Sequence, residues 1–128
     1  MIYLLDTHLL VWSMTRETRV PELARSLLEG LGNEPRYSVI SIWEVAIKQS
    51  LRRSDFTVDP QMLRVALENS GFRGLPVTIE HAVAIAGLPK IHKDPFDRML
   101  VAQALVEGMT LLTVDAVLAK YPCQVRLV

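Results

Sequence analysis

The stretch HKDPFDRMLVAQA, residues 92–104, decides how the fold of this chain is interpreted. It has the features of a helix start, because Asp94 can accept an unpaired backbone N–H as the N-cap and Pro95 suits the first helical position. Asp97 stands at the third helical position, where an acidic side chain completes a capping box. The stretch therefore predicts a helix from Pro95 to about Glu107, with a structural role for both acids.

Apolar runs rich in strand-forming residues lie on both sides of this helix. They are residues 2–5, 37–40, a short run within 72–77, 110–114 and 124–127. Further helices are predicted after Asp6 and over 21–31, 41–51, 60–70 and 78–86. Strands that alternate with helices imply right-handed crossovers and a parallel sheet covered on both faces. We therefore expect the α/β class, as a three-layer α/β/α sandwich with a mainly parallel central sheet.

Length and composition limit what the chain can be. Its 128 residues predict a single domain, and a composition of 50% hydrophobic and 22% charged residues is typical of globular proteins. Fourteen Lys and Arg residues balance fourteen Asp and Glu residues, which argues against a generally basic nucleic-acid-binding surface but allows a local basic rim. Cys123 is the only cysteine, so an intrachain disulfide is excluded. No export or membrane signal is recognisable, and we expect a cytoplasmic protein with no membrane partner.

Four acidic residues fall where a parallel sheet would bring them together. Asp6 follows the first strand, Asp115 follows the fourth, and Glu44 completes the pattern S-x-x-E that begins at Ser41 after the second strand. Asp97 begins a helix that runs antiparallel to the strand it precedes, so it belongs near the same edge. Ligands of such sheets bind beyond the carboxyl ends of the strands. The four acids are therefore expected to converge at that edge.

Convergence changes the interpretation of these acids. Each acid alone can be explained by a structural role as a helix cap, which contributes about 1 kcal/mol to stability. Two carboxylates about 5 Å apart repel by about 3 kcal/mol at an effective dielectric near 20, so capping alone does not explain a group of them. A divalent cation would neutralise such a group, and oxygen ligands favour Mg²⁺ or Mn²⁺ over Zn²⁺. Metal-assisted phosphodiester hydrolysis is a usual chemistry of such sites.

Four motifs, in order and with their spacing, resemble a known family. They are LDTH at 5–8 with Trp12, SIWEVAIK at 41–48, LP at 88–89 with HKDPFDR at 92–98 and AQA at 102–104, and LTVD at 112–115 with Tyr121. Together they cover nearly the whole chain. The sequence resembles the PIN-domain ribonucleases, and among them the VapC-type toxins of bacterial toxin–antitoxin pairs.

The resemblance implies both an activity and its residues. It implies that Asp6, Glu44, Asp97 and Asp115 form an acidic quartet that binds Mg²⁺, for which Mn²⁺ can substitute. Asp6, Asp97 and Asp115 would hold one or two ions, while Glu44 would bind a second ion or orient the attacking water. The resemblance also implies endonucleolytic cleavage of RNA to 5′-phosphate and 3′-hydroxyl ends, a homodimer, and inhibition by a cognate antitoxin protein.

Other polar residues near these motifs have two interpretations each. Asp94 can serve as a cap alone or also take part in the site. Thr7 and Thr113 can hydrogen-bond the acids or water, or can be ordinary capping and strand-end hydroxyls. Lys48 can pair with Glu44 one turn earlier or contact a phosphate of the substrate.

Among the remaining basic residues, Arg98 can hold an RNA phosphate or pair with Asp94. His92 can touch the substrate or be an ordinary loop histidine. Arg52 and Arg53 are predicted to be a solvated helix end that the substrate grazes.

Three alternatives to an RNA-cleaving toxin remain at this point. The same acidic site could act on DNA or a structured nucleic acid. A phosphatase of the haloacid-dehalogenase type would use Asp6 as nucleophile, but such enzymes expect a second Asp where this chain has His8. The third alternative is a catalytically silent protein-binding module in which the acids serve only as caps.

Overall fold

A five-stranded sheet forms the centre of the molecule. The computed structural model describes residues 1–52 and 57–128. The strands are β1 (Ile2–Leu5), β2 (Glu34–Ser38), β3 (Arg73–Leu75), β4 (Thr110–Thr113) and β5 (Val125–Leu127). They lie in the order β3-β2-β1-β4-β5, and all four strand pairings are parallel. The short β3 lies at an edge, in line with the weakening effect of Gly74 and Pro76.

Helices connect the strands and cover both faces of the sheet. They are α1 (Thr7–Thr15), α2 (Glu22–Glu29), α3 (Val39–Ser50), α4 (Pro60–Ser70), α5 (Ile79–Ala84) and α6 (Pro95–Glu107). Short 3-10 helices cover Glu17–Arg19, Ile85–Gly87 and Ala116–Lys120. Within residues 1–52 and 57–128, no helix has the length and apolar character needed to cross a membrane.

Two separate apolar cores confirm the three-layer architecture. Leu5 of β1 packs in one core with Leu9 of α1 and Leu63 of α4. The next residue back along β1, Leu4, points to the opposite face and packs with Leu100 of α6. Successive side chains of a strand alternate between faces, so β1 contributes to both cores.

The junction between β2 and α3 differs from the sequence-based prediction. The strand ends at Ser38 rather than Ile40, and Ser38 instead of Ser41 is the N-cap of α3, accepting from the backbone N–H of Ile40 at 3.0 Å. The Ser38 hydroxyl is buried and donates to Gln103 Oε1 of α6 at 2.5 Å. This tertiary bond fixes where the helix begins, whereas the β-branched pair Val39–Ile40 had favoured a longer strand.

The predicted boundaries of α2 also need a small correction. Pro21 is the N-cap residue rather than the first helical residue, and the helix ends at Glu29 rather than near Leu31. By contrast, α4 begins at Pro60 and ends before Gly71, which has a φ of +83°, as its sequence signals predicted.

The order of the strands determines where a site can form. The chain builds β2 and β3 outward on one side of β1 and then crosses to place β4 on its other side. The strand order therefore reverses next to β1, and a crevice at the carboxyl ends of β1 and β4 is the expected place for a ligand.

Candidate metal and active site

Asp6 lies at the carboxyl end of β1 and caps α1. Its Oδ1 accepts the backbone N–H of Leu9 at 2.8 Å, and its Oδ2 accepts a short hydrogen bond from the hydroxyl of Thr113 at the end of β4. The side chain is buried, and this burial raises the pKa of Asp6 above its ordinary value, although the hydrogen bond from Thr113 opposes the rise. Asp6 is thus a buried acid held by the two central strands.

Glu44 enters the same crevice from α3. Because α3 begins three residues earlier than predicted, Glu44 stands in its second turn and not at a capping-box position. Its side chain is only 2% exposed. Its Oε1 accepts from Thr7 Oγ1 and its Oε2 accepts from Lys48 Nζ, both at 2.6 Å. Ser41 Oγ lies 2.9 Å from Thr7 Oγ1, and since the Thr7 proton points to Glu44, Ser41 donates there. These donors hold the Glu44 carboxylate in one orientation.

Asp94 and Asp97 at the start of α6 have separate roles. Asp94 is the N-cap, as predicted, with its Oδ1 accepting the backbone N–H groups of Phe96 at 2.8 Å and Asp97 at 3.3 Å. The capping-box interpretation of Asp97 is wrong, because the Asp94 backbone N–H donates to His92 Nδ1 at 3.2 Å. The Asp97 carboxylate instead lies 3.2 Å from His92 Nε2.

Asp97 is the acid on which the others converge. Its pKa is raised from 3.8 to about 7, first by burial and then by the charges of Asp94, Glu44, Asp6 and Asp115. The carboxylates therefore come from four separate elements and lie within electrostatic reach of one side chain. An oxygen-rich group with this much repulsion has the donor chemistry of a site for a hard divalent cation.

Asp115 lies two residues beyond β4. Its Oδ1 accepts the backbone N–H of Val117 at 2.9 Å, which is the predicted capping role, while its Oδ2 lies 3.6 Å from His92 Nε2. Thr113 Oγ1 accepts the backbone N–H of Asp115 at 3.0 Å while it donates to Asp6. Thr113 therefore links these two acids.

The tightest group in the crevice includes a histidine. In the part of the chain that the structure describes, His92, Asp97 and Asp115 each offer one ligand atom, and these atoms lie within 4.8 Å of one another. Asp6 and Glu44 do not belong to this tightest group, although both influence Asp97 electrostatically. For His92 the sequence predicts only a substrate contact or an ordinary loop position.

The basic residues are engaged within the protein. Lys48 makes the predicted pair with Glu44 and lies 3.7 Å from Asp94 Oδ2. The Arg98 guanidinium donates to the carbonyl oxygens of Pro89 at 2.9 Å and Ile85 at 3.3 Å. We therefore interpret Arg98 as a brace for the segment before α6, in place of the predicted pairing with Asp94, while its contact with a phosphate stays a prediction.

Two further predicted residues lie after α3 and in the loop that follows β4. Arg52 follows α3 and is exposed, whereas the predicted role of Arg53 lies outside the described residues. Tyr121 is buried, and its Oη accepts the backbone N–H of His92 at 2.7 Å. The sequence assigns Tyr121 to a motif but predicts no contact for it, because no local pattern reveals a hydrogen-bond partner 29 positions away.

Comparisons with known proteins agree with this fold. The model of the PIN domain family matches residues 3–122. No curated protein matches the chain significantly. Solved structures also resemble the chain, and for three of them, described next, the identity is too low to show more than the fold. VapBC2 from Rickettsia felis, bound to a DNA fragment from its promoter, has a TM-score of 0.74 at 18% identity and covers 99% of this chain and 98% of that one.

The other two structures cover almost the whole chain as well. DNA-bound VapBC from Salmonella typhimurium has a TM-score of 0.69 at 16% identity and covers 98% of this chain and 97% of that one. FitAcB from Neisseria gonorrhoeae has a TM-score of 0.61 at 23% identity and covers 98% and 96%, respectively.

Proposed function

The chain belongs to the PIN domain family, and from this premise we propose that it is a Mg²⁺-dependent endoribonuclease and the toxin of a toxin–antitoxin pair. The observation that carries the proposal is the convergence of acids on Asp97, whose pKa rises to about 7. Capping explains Asp94 and contributes to the positions of Asp6 and Asp115. It gives no role to the Asp97 carboxylate, which caps nothing at its own helix.

The donor set fits a divalent cation. Asp6, Asp97 and Asp115 would hold one or two ions, because Asp6 is buried and the charges of Asp6 and Asp115 both act on Asp97. Mg²⁺ is the proposed ion and Mn²⁺ its substitute, since both prefer oxygen ligands. When bound, such a cation lowers the pKa of a coordinated water and offsets negative charge on the attacked phosphate.

Glu44 and its neighbours would complete the chemistry. Glu44 is held by Thr7 and Lys48, so its carboxylate is fixed in a position from which it can bind a second ion or orient the attacking water. Thr113 holds Asp6 in the same way from the other side. Lys48 carries a positive charge beside the acids, which would help to attract the phosphate backbone of an RNA chain.

The proposed partners follow from the similar structures. The Rickettsia and Salmonella structures contain VapBC, and we propose that this chain likewise has a cognate antitoxin. We also propose a homodimer in the cytoplasm, which rests on the resemblance of the sequence motifs to VapC-type toxins. RNA is the proposed substrate because the sequence motifs resemble VapC-type toxins. DNA remains the alternative substrate that the test must separate.

The test combines purified protein with expression in cells. Purified protein is incubated with RNA and DNA of the same sequence, with Mg²⁺ or with EDTA. We expect cleavage of RNA only, in Mg²⁺ only, with 5′-phosphate ends. Induced expression should stop growth and create new RNA 5′ ends that sequencing can map.

Asp6→Asn is the decisive variant, because it removes one charge with little change of shape. It should abolish cleavage and growth arrest while the protein stays folded by circular dichroism. Asp59→Asn is the matched control, since Asp59 caps α4 outside the acidic group and Asn caps equally well. Full activity of Asp6→Asn, or undiminished cleavage in EDTA, would refute the proposed function.

A further inference from the structure

Trp43 is a large aromatic residue that lies exposed beside the acidic group. It stands on α3 directly before Glu44, and 56% of its surface is exposed. The other tryptophan, Trp12 of α1, is partly buried and packs against one of the two apolar cores. The two tryptophans therefore differ, and the indole of Trp43 is the one that a ligand can reach.

A second aromatic ring limits the orientation of Trp43. The ring centroids of Trp43 and Phe96 lie 5.2 Å apart, and their planes are inclined at 77°, which is an edge-to-face arrangement. In such a pair, Phe96 covers at most one face of the indole. The other face, together with the large exposed fraction of Trp43, offers a flat apolar surface to solvent.

This aromatic pair borders the acidic group. Phe96 directly precedes Asp97 on α6, just as Trp43 precedes Glu44 on α3. Lys48 Nζ lies 5.6 Å from the centroid of the Phe96 ring and 2.6 Å from Glu44 Oε2. One ammonium group thus contacts both the aromatic pair and an acid of the candidate site.

The face of a nucleobase is the ligand that fits this position. Bases of single-stranded nucleic acids stack on aromatic side chains, and every base has a π face that can do so. An aromatic side chain has few rotatable bonds, so little conformational entropy is lost when a base stacks on it. The position of the indole beside the proposed cleavage site favours RNA over a protein partner.

We propose that Trp43 forms a stacking subsite for one base of the RNA substrate, next to the phosphodiester that is cleaved at the acidic group. This proposal rests on the proposed function above. Phe96 positions the indole, and the stacked base holds the RNA strand against the acids. Because stacking contacts the face of a base and not its edge, the subsite binds the strand without selecting one base.

Two substitutions of Trp43 separate its aromatic face from its apolar bulk. Trp43→Leu keeps an apolar side chain but has no π face, so the KM for RNA cleavage should rise about tenfold or more while kcat stays within about threefold. Trp43→Tyr keeps a π face, and its KM should stay within about threefold of the wild type. Met62→Ala is the control, because Met62 is an exposed apolar residue on α4 and should leave KM unchanged.

RNAs that lack a single base test the contact itself. An abasic nucleotide, placed in turn at each position that flanks the cleaved bond, removes the base but keeps the phosphate. At one position it should raise the KM of the wild type about tenfold and leave the KM of Trp43→Leu unchanged, because base and indole lose the same contact. Additive effects at every position would overturn the proposal.

A binding measurement needs no cleavage. In the variant that combines Asp6→Asn with Trp12→Phe, Trp43 is the remaining tryptophan. Single-stranded RNA added with Mg²⁺ should quench its fluorescence, and fluorescence that does not change at saturating RNA would overturn the stacking contact. Circular dichroism establishes that each variant is folded.

The remaining outcomes separate this subsite from other roles of Trp43. An altered oligomeric state of Trp43→Leu in gel filtration, with an unchanged KM, would place the indole in a protein interface and overturn the proposal. If the wild type cleaves RNA but abasic RNAs and the Trp43 variants show no change in KM, only the stacking subsite fails. If the wild type cleaves no RNA, the proposed function fails and the subsite fails with it.

Discussion

Replacing Asp97 by Asn should stabilise the metal-free protein at neutral pH. Asn has nearly the same shape as Asp, so it should keep the packing against His92, whose Nε2 lies 3.2 Å from the present carboxylate. The substitution therefore removes mainly the negative charge. That charge is buried, which raises the pKa of Asp97, and the carboxylates of Asp94, Glu44, Asp6 and Asp115 raise it further.

The size and pH dependence of this gain follow from the pKa of Asp97. The pKa is about 7 in the folded protein against an ordinary value of 3.8. Between these values the folded protein binds more protons than the unfolded chain, so wild-type stability falls as pH rises through this window. A shift of about three units corresponds to about 4 kcal/mol above pH 7. The Asp97 side chain is 18% exposed, and solvent screening reduces the expected gain to about 2 kcal/mol.

The assay is denaturant unfolding of both proteins in EDTA at several pH values from about 5 to 8. The free energy of unfolding of Asp97→Asn should exceed that of the wild type most at the highest pH, and the difference should shrink toward acid pH. Asp59→Asn, at the cap of α4, is the control and should change stability by less than about 0.5 kcal/mol.

A divalent cation should make the wild type more stable than Asp97→Asn, the reverse of their order in EDTA. At about 100 times its dissociation constant, Mn²⁺ should stabilise the wild type by about 2.7 kcal/mol and the variant by much less. The reasoning is refuted if Asp97→Asn is no more stable than the wild type at pH 8, or if its advantage does not depend on pH.

Three further predictions concern the residues that support the site and the core. Thr113→Val removes the hydroxyl that links Asp6 and Asp115, and should lower stability by about 1–3 kcal/mol; it should also weaken Mn²⁺ binding in a calorimetric titration, and unchanged values of both would contradict the link. Gln103→Leu leaves a buried serine hydroxyl of β2 without its acceptor and should cost about 1–3 kcal/mol in denaturant unfolding, whereas a neutral or stabilising effect would show that this bond does not hold α6 to the sheet. Leu100→Ala removes a fully buried side chain on the same helix and should cost about 2–5 kcal/mol with little change in Mn²⁺ affinity, and a large change in affinity would mean that the core and the site are coupled.

Most of the fold could be predicted from the sequence because its signals are local. The capping residue Asp94 with Pro95 determined the start of α6, and Pro60 with Gly71 determined the limits of α4. Apolar runs placed the five strands in their order along the chain, although the run at 37–40 overlaps β2 only at Tyr37 and Ser38, because this strand begins at Glu34. The three-layer sandwich then follows from general rules for connecting parallel strands.

The junction of β2 and α3 could not be predicted in this way. Local propensity favoured a strand through Ile40 and a capping box at Ser41. The observed cap is Ser38, which is fixed by its hydrogen bond to Gln103, 65 positions along the chain. A capping pattern is a local signal, and a tertiary bond of this kind can override it.

The candidate site, too, could be predicted from the sequence only in part. The sequence by itself determined which acids converge, since Asp6 and Asp115 follow strands that end at one edge of the sheet. Only the tertiary structure decided how they differ. Burial and the charges of the other acids raise the pKa of Asp97. Glu44 is held by Thr7 and Lys48, and His92 Nε2 lies 3.2 Å from the Asp97 carboxylate. The physical reason is that burial, hydrogen-bond partners and pKa depend on neighbours that are distant in the chain and adjacent only after folding.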